Sequence, residues 1–216
     1  MFVANRMTKN PVTVTPDTSL DDAARLMKKG HFRRLAVVDE NGKLVGFFSD
    51  KDLMRAAPSP ATTLSRYEAT ELLSGLKVTE IMQRDVVSVS VDATIEEAAL
   101  IMYEKKIGGL PVVSSVGAVV GIITETDIFK AFVDVMGLKE GKTRLTIETD
   151  NKVGVVNDIS GIFTAHGLSI DSLVTCRQDD GSYEIIVRGD IPDVDTIASE
   201  IESKGYKVVH KVKIEA

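Results

Sequence analysis

The sequence predicts an α/β (α+β) architecture in two parts: a tandem of β-α-β-β-α units, then one ferredoxin-like βαββαβ domain. Two observations carry this. Roughly the first 130 residues are written twice at an offset of about 75, and from Thr143 the duplicated pattern gives way to a single β-α-β-β-α-β series. Met7 falls on Met82, Asp17 on Asp92, Leu35-Ala36-Val37-Val38 on Leu110-Pro111-Val112-Val113, and Gly46 to Asp52 on Gly121 to Asp127. A unit that occurs twice implies two half-modules on a pseudo-twofold axis with clefts between them. The divisions read from the pattern are 1–57 and 77–137 for the two units, 58–76 for a linking helix, and 143–216 for the last domain.

Each unit opens on a short apolar strand, Val12 to Val14 or Val87 to Val89. Leu20, Ala23, Ala24 and Met27, and likewise Ile95, Ala98, Ala99 and Met102, recur at helical spacing and give each following helix one apolar stripe. Thr18 before Asp21 and Thr94 before Glu97 are the expected helix starts. Leu35 to Val38 and Leu44 to Phe48 form a hairpin through Asn41-Gly42, a dipeptide that tolerates positive φ, with Gly117 in the matching place of the second unit. A closing helix begins near Asp52 and Asp127. Between the units, Pro58-Ser59-Pro60 breaks the chain, and Leu64 to Leu76 reads as a connecting helix carrying Leu72, Leu73 and Leu76.

In the last domain Leu145 and Ile147 alternate on a strand. Val155, Ile159, Ile162, Phe163 and His166 then mark a helix ended by Gly167. Ile170 to Cys176 and Tyr183 to Arg188 read as strands around Asp179-Asp180-Gly181. Val194, Ile197, Ala198 and Ile201 give a second helix, and Lys207 to Ile214 a last strand.

Composition is that of an ordinary globular chain: 216 residues, 44% hydrophobic and 27% charged. No run approaches the length needed to cross a bilayer, and Met1 to Pro11 lacks the apolar core of a secretory signal, so the expectation is a cytoplasmic protein with no membrane partner. A net charge of −6, most of it after Lys142, argues against nucleic acid as partner. Cys176 is the single cysteine, which excludes an intramolecular disulfide and a cysteine-based metal site, and it reads as a small buried hydrophobe.

The chemistry-bearing pattern is glycine-apolar-apolar-Ser/Thr-x-x-Asp, ending both units at Ser49/Asp52 and Thr124/Asp127. An aspartate accepts from two vicinal ribose hydroxyls, and the hydroxyl side chain can bond sugar or phosphate at a helix entrance that favours anions. The same spacing also makes a capping box whose only role is to satisfy exposed amides. Both roles stay open. Together with the duplicated unit, this ending resembles a CBS pair, or Bateman module, over about residues 1 to 135. The resemblance implies a regulatory module binding an adenosine derivative: AMP, ADP or ATP, with S-adenosylmethionine ranked below them. It also implies that Arg33 and Arg34 hold phosphate, bidentate chemistry that suits guanidinium. The alternative is an exposed basic corner paired with Asp21-Asp22 or Asp39-Glu40. Because Gly108-Gly109 replaces the arginines in the second unit, the two clefts are expected to be unequal, with the first better suited to a phosphorylated ligand.

The last domain, from its strand and Asp150 to Val155 loop through Gly167-Leu168-Ser169-Ile170, resembles an ACT domain. That resemblance implies side-by-side pairing into a homodimer and amino-acid binding near Asn151 and Gly154. The usual Asp-x-Pro-Gly pattern is here Asn151-Lys152-Val153-Gly154, so dimerisation and signal transmission rank ahead of ligand capture. A CBS pair followed by an ACT domain resembles the acetoin-utilisation AcuB type of protein. The implied function is a regulator of carbon metabolism acting on an unidentified metabolic protein, its rival a ligand-free dimerising scaffold. No catalytic or metal-binding residue is assigned. His31 falls beside the first cleft, His166 at a helix end and His210 on a strand, and the chain has no P-loop, H-E-x-x-H or G-x-S-x-G pattern.

Overall fold

The computed structural model describes residues 1–57, 66–138, 143–150 and 152–213. Contacts divide the chain into two compact units, Met1–Ile128 and Phe129–Ala216.

In the first repeat, β1 (Thr8–Lys9) and β2 (Thr13–Val14) precede α1 (Leu20–Gly30), the hairpin β3 (Arg34–Val38) and β4 (Leu44–Ser49), and α2 (Asp50–Ala56). After α3 (Arg66–Gly75), the second repeat supplies β5 (Val89–Ser90), α4 (Ile95–Lys105), β6 (Gly109–Val113), β7 (Val119–Thr124) and α5 (Glu125–Val135). The stripes read from periodicity face inward: Leu20, Ala23 and Met27 are buried on α1, as are Ile95, Ala98 and Met102 on α4, while Ala24 and Ala99 are half-buried.

The sheets exchange their edges. Within the repeats β2 lies parallel to β3 and β5 to β6, while β3 pairs antiparallel with β4 and β6 with β7. Beyond this, β1 of repeat one adds to β7 of repeat two, Thr8 opposite Ile122. Repeat two returns the bond, since Gln83, the mate of Thr8, bridges Phe47, the mate of Ile122. The hairpin tips are tied the same way, Leu44 N–H donating to Gly117 O and Val119 N–H to Gly42 O. Phe2 likewise bridges Thr94 as Ser19 bridges Lys77. The core of repeat one is finished by Val78 and Met82, from the opening segment of repeat two. Each half-module therefore buries its sheet with segments of the other, and neither is complete alone.

Several local expectations are corrected. The N-cap of α1 is Ser19, whose Oγ accepts from Asp22 N–H, while Thr18 Oγ1 accepts from Thr15 N–H. Thr94 caps α4 as expected, with Glu97 completing its capping box. The first hairpin is not a two-residue turn. Only Gly42 has positive φ, and the Asp39 carboxylate instead accepts from the N–H groups of Asn41 and Lys43. The opening strands are shorter and later than Val12 to Val14 and Val87 to Val89. On the connecting helix, Leu73 and Leu76 pack on the first core and Leu72 is exposed; Leu64 lies outside the described residues.

The second unit holds β8 (Thr143–Thr149), α6 (Val155–Ala165), β9 (Ser172–Arg177), β10 (Tyr183–Gly189), α7 (Val194–Ser203) and β11 (Lys207–Lys213). Its sheet runs β11-β8-β10-β9, antiparallel throughout, the ferredoxin-like arrangement the sequence predicts. Leu145, Ile147, Ile185 and Val187 face Ile159, Phe163, Ile197 and Ile201 in one core. Cys176 is half-exposed rather than buried, because β9 is an edge strand. Ile214 lies outside the described residues. Among those described, no helix is long and apolar enough to cross a membrane, and no cluster of His, Cys, Asp or Glu could hold a metal ion.

Candidate functional site

The exchanged edges produce two clefts, each built from both repeats. In the first, of about 340 Å³, Thr8, Asn10 to Val12 and His31 to Arg34 of repeat one face Ile122 and Thr124 to Thr126 of repeat two. In the second, of about 460 Å³, Asp85 to Val87 and Lys106 to Gly109 of repeat two face Phe47 to Asp52 and Arg55 of repeat one. Both lie in the size range of small-molecule sites. Every residue lining the first cleft has its repeat mate lining the second, Val12 matching Val87, Phe32 matching Ile107, and Ile122 matching Phe47. Each cleft thus pairs apolar walls, suited to a flat heteroaromatic ring, with a strand-to-helix turn that carries a hydroxyl.

The clefts lie between the half-modules, as the repeat implies, and each draws its hydroxyl-bearing turn from one repeat and the facing wall from the other. Ser49 and Asp52 line the second cleft with Lys106 and Gly108, whereas Thr124 lines the first with Arg33 and Arg34. Both arginines line both clefts. The first cleft is the more apolar, and the second has more charge, with Lys51, Arg55 and Lys106 beside Asp50, Asp52 and Asp85. The predicted inequality is therefore one of character, with the greater cationic count in the second cleft.

At both strand-to-helix turns the carboxylate serves the helix start. Ser49 N–H and Oγ–H donate to Asp52 Oδ2 at 2.9 and 2.7 Å, completing a capping box on α2. Thr124 N–H and Oγ1–H donate to Asp127 Oδ2 at 2.8 and 2.7 Å. Capping is thus present in both repeats, and it engages one oxygen of each carboxylate. Asp52 lines its cleft, but Asp127 is not among the residues lining the first.

Arg34 is half-buried, and Arg33 is exposed. Burial, then the neighbouring Arg33, lowers the pKa of Arg34, while the Glu125 and Asp50 carboxylates act to raise it. Three of the four acids in the exposed-corner alternative are used otherwise: Asp21 and Asp22 pair with Arg25, and Asp39 closes the hairpin turn. His31 borders the first cleft in left-handed conformation at the end of α1. His166 meets Glu200 at 2.7 Å, and the His210 ring contacts Arg144, both outside the clefts.

In the second unit, Gly154 at φ +100° opens α6 without a side-chain cap and borders a hollow with Asp150, Thr175 and Tyr183. Asn151 lies outside the described residues. The cleft residues missed from sequence, Thr8, Val12, Phe32 and Ile122 with their mates, left one signal in the repeat itself: apart from Thr8 and Gln83, they are apolar positions that recur in register.

Two clefts of this kind, on a reciprocally paired duplicate, define a module of two half-domains with hollows of small-molecule size between them. The chain matches the CBS domain family over residues 3–59 and 78–134, and the ACT domain family over 143–205. It belongs to the CBS-domain family, as a CBS pair followed by an ACT domain. A CBS domain-containing protein of Dictyostelium discoideum is 32% identical over 63% of this chain and 94% of its own length. The L-aspartate semialdehyde sulfurtransferase of Methanocaldococcus jannaschii is 32% identical over 61% of this chain but only 23% of its own, so that enzyme extends far beyond the shared region. Among solved structures, a Vibrio cholerae protein provisionally described as an acetoin utilization protein (AcuB) is 34% identical, with TM-score 0.53 over 65% of this chain and 96% of that one. The CBS pair of protein MJ0100, in complex with 5-methylthioadenosine and S-adenosyl-L-methionine, is 31% identical, with TM-score 0.52 over 64% and 98% of the two chains. CBSX2 of Arabidopsis thaliana, in complex with AMP, is 31% identical with TM-score 0.52, over 62% and 98%.

Proposed function

We propose that this chain is a cytoplasmic, non-catalytic sensor: its CBS pair binds an adenosine-type ligand, AMP, ADP or ATP ahead of S-adenosylmethionine, and the ACT domain transmits occupancy within a homodimer to a metabolic protein partner. The observation that carries the reading is the pair of matched clefts, each lined by apolar side chains, a hydroxyl-bearing turn and the arginines Arg33 and Arg34. The adenosine ligands of MJ0100 and CBSX2 support the ligand class, and the likeness to the Vibrio protein supports a place in carbon (acetoin) metabolism. In this reading Ser49, Asp52, Thr124 and Asp127 bind ribose while capping, and Arg33 and Arg34 bind phosphate. The divisions 1–57, 77–137 and 143–216 serve as two halves of the sensor and its transmitter, with Asn151 and Gly154 held in reserve as an amino-acid site. A ligand can shift such a dimer only through unequal affinity for its two arrangements.

The test is a calorimetric and thermal screen of adenosine, AMP, ADP, ATP, 5-methylthioadenosine and S-adenosylmethionine against the purified chain. A ligand at about a hundred times its Kd should stabilise by about 2.7 kcal/mol. If no adenosine compound binds or shifts the melt, the chain is instead a dimerising scaffold with empty clefts.

A further inference from the structure

The two clefts have four lining residues in common, Arg33, Arg34, Gly108 and Glu125, and of the two shared cations Arg34 is the half-buried one. Arg34 and Gly109 are the same position of the two repeats, and the Arg34 side chain lies over its own mate: a β-carbon on Gly109 would stand 3.1 Å from Arg34 Cδ and 3.2 Å from Nε. The next glycine makes room for the head group. A β-carbon on Gly108 would overlap Arg34 Nη2 and stand 2.8 Å from Glu125 Oε2. Arg34 therefore crosses the pseudo-twofold axis, where space admits one long side chain and not two. It lines both clefts, and the two carboxylates that act on its charge, Asp50 and Glu125, are themselves repeat mates, both lining the second cleft and Glu125 the first as well.

We propose that Arg34 is one phosphate-binding cation shared by two clefts, so that a phosphorylated ligand seated in either withdraws it from the other. This rests on the adenosine reading given above and specifies its regulation. A guanidinium bonded bidentately to one phosphate has its donors directed at that phosphate and its charge neutralised there. The second phosphorylated ligand then enters a cleft whose remaining groups include Glu125 or Asp50 without their shared counter-ion. The two clefts bind phosphorylated ligands with negative coupling, and uncharged adenosine ligands independently. Coupling of this kind is reciprocal: whichever cleft fills first weakens the other by the same factor.

The experiment compares each cleft alone with both together. Val12→Trp closes the first cleft and Val87→Trp the second, at matched positions on the partly exposed rims. Each variant should titrate one equivalent of adenosine with its wild-type affinity, which also shows that it folds. For AMP, the two single-cleft constants should fail to reproduce the wild-type titration, whose second step should be weaker than the matching single-cleft constant by about tenfold or more. In an Arg34→Ala background that discrepancy should vanish, although AMP binds less tightly. AMP steps that equal the single-cleft constants in the wild type overturn the coupling and leave the adenosine reading standing. Failure of adenosine and AMP alike to bind overturns both. The pair Arg34→Gly, Gly109→Arg supplies the same cation from the other repeat and should restore the coupling; its absence there, with the fold intact, also counts against a shared cation.

Discussion

The Arg34 guanidinium occupies the space that a side chain at Gly108 would need. Glycine there keeps the guanidinium beside Glu125 in the wall of both clefts. The atoms a methyl group would meet are the ends of two flexible side chains, which can yield. Gly108→Ala should therefore leave the melting temperature within a few degrees, the range of ordinary surface substitutions within about 0.5 kcal/mol. The same change should alter AMP affinity while leaving adenosine affinity unmoved. Parallel calorimetry of both ligands checks this, and an unchanged ratio of the two constants would separate Arg34 from phosphate.

Asp52 carries two roles that one substitution can part. Its Oδ2 accepts from Ser49 N–H and Oγ–H, and asparagine keeps a carbonyl oxygen for that cap but loses the second acceptor. Asp52→Asn should keep most of the stability that Asp52→Ala forfeits, about 0.5 to 2 kcal/mol for a lost cap. Both should weaken adenosine binding in the second cleft by about tenfold to a hundredfold, the loss expected for a charge-assisted bond. Full affinity in the asparagine variant would leave Asp52 as a cap alone.

The repeat made the fold readable, because a stripe such as Leu20, Ala23 and Met27 meets the same periodic requirement wherever its partner lies. The exchange of edges was not readable in the same way. Thr8 and Lys9 are two residues without an alternating apolar pattern, and their pairing with Ile122 and Gly121 is decided by tertiary proximity rather than by local pattern. That exchange also moved the site: Ser49 and Thr124 were identified from local chemistry, yet each sits opposite residues of the other repeat. Thr18 lost the cap to Ser19 because two adjacent hydroxyls offer the same chemistry, and only the backbone direction chooses between them.

Met7 and Met82 are the buttons of the exchange. A β-carbon on Gly121 would overlap Met7 Sδ and stand 3.1 Å from Thr8 O, and one on Gly46 would overlap Met82 Sδ. Gly121→Val should push β1 off β7 and cost about 1 to 3 kcal/mol, the usual penalty of overpacking. Hydrogen exchange should show Thr8 and Lys9 losing protection before the rest of the sheet. Retained protection with wild-type stability would mean that methionine yields without disturbing the strand.

Arg188 in the ACT domain is 6% exposed, directly opposite Arg144 on the neighbouring strand, and its Nε lacks a hydrogen-bond partner among the described residues. Burial and then the charge of Arg144 both lower its pKa. Two like charges facing across a ladder, one of them under-satisfied, oppose folding. Arg188→Met keeps the length of the apolar stem and should stabilise the chain, by about 1 kcal/mol or more where such buried charges are replaced. A lower denaturant midpoint for this variant would show that the arginine is satisfied by an interaction outside those described.

Tyr206 closes the ACT core, its hydroxyl donating to Asp158 Oδ2 at 2.6 Å. That bond, then burial and the charge of Asp158, raise the tyrosine pKa above its ordinary value of 10.0. The folded protein therefore holds this proton more tightly than the unfolded chain. The contribution is complete below the unfolded pKa and is lost as pH rises through the folded one. Tyr206→Phe should cost about 1 kcal/mol near neutrality, the net value of such a bond, with the Asp158 carboxylate still paired to Lys204 Nζ at 3.8 Å. It should also flatten part of the alkaline fall in stability that the wild type shows above the unfolded pKa. Denaturant melts of both proteins across that range test the linkage, and parallel curves would assign the alkaline loss to other groups.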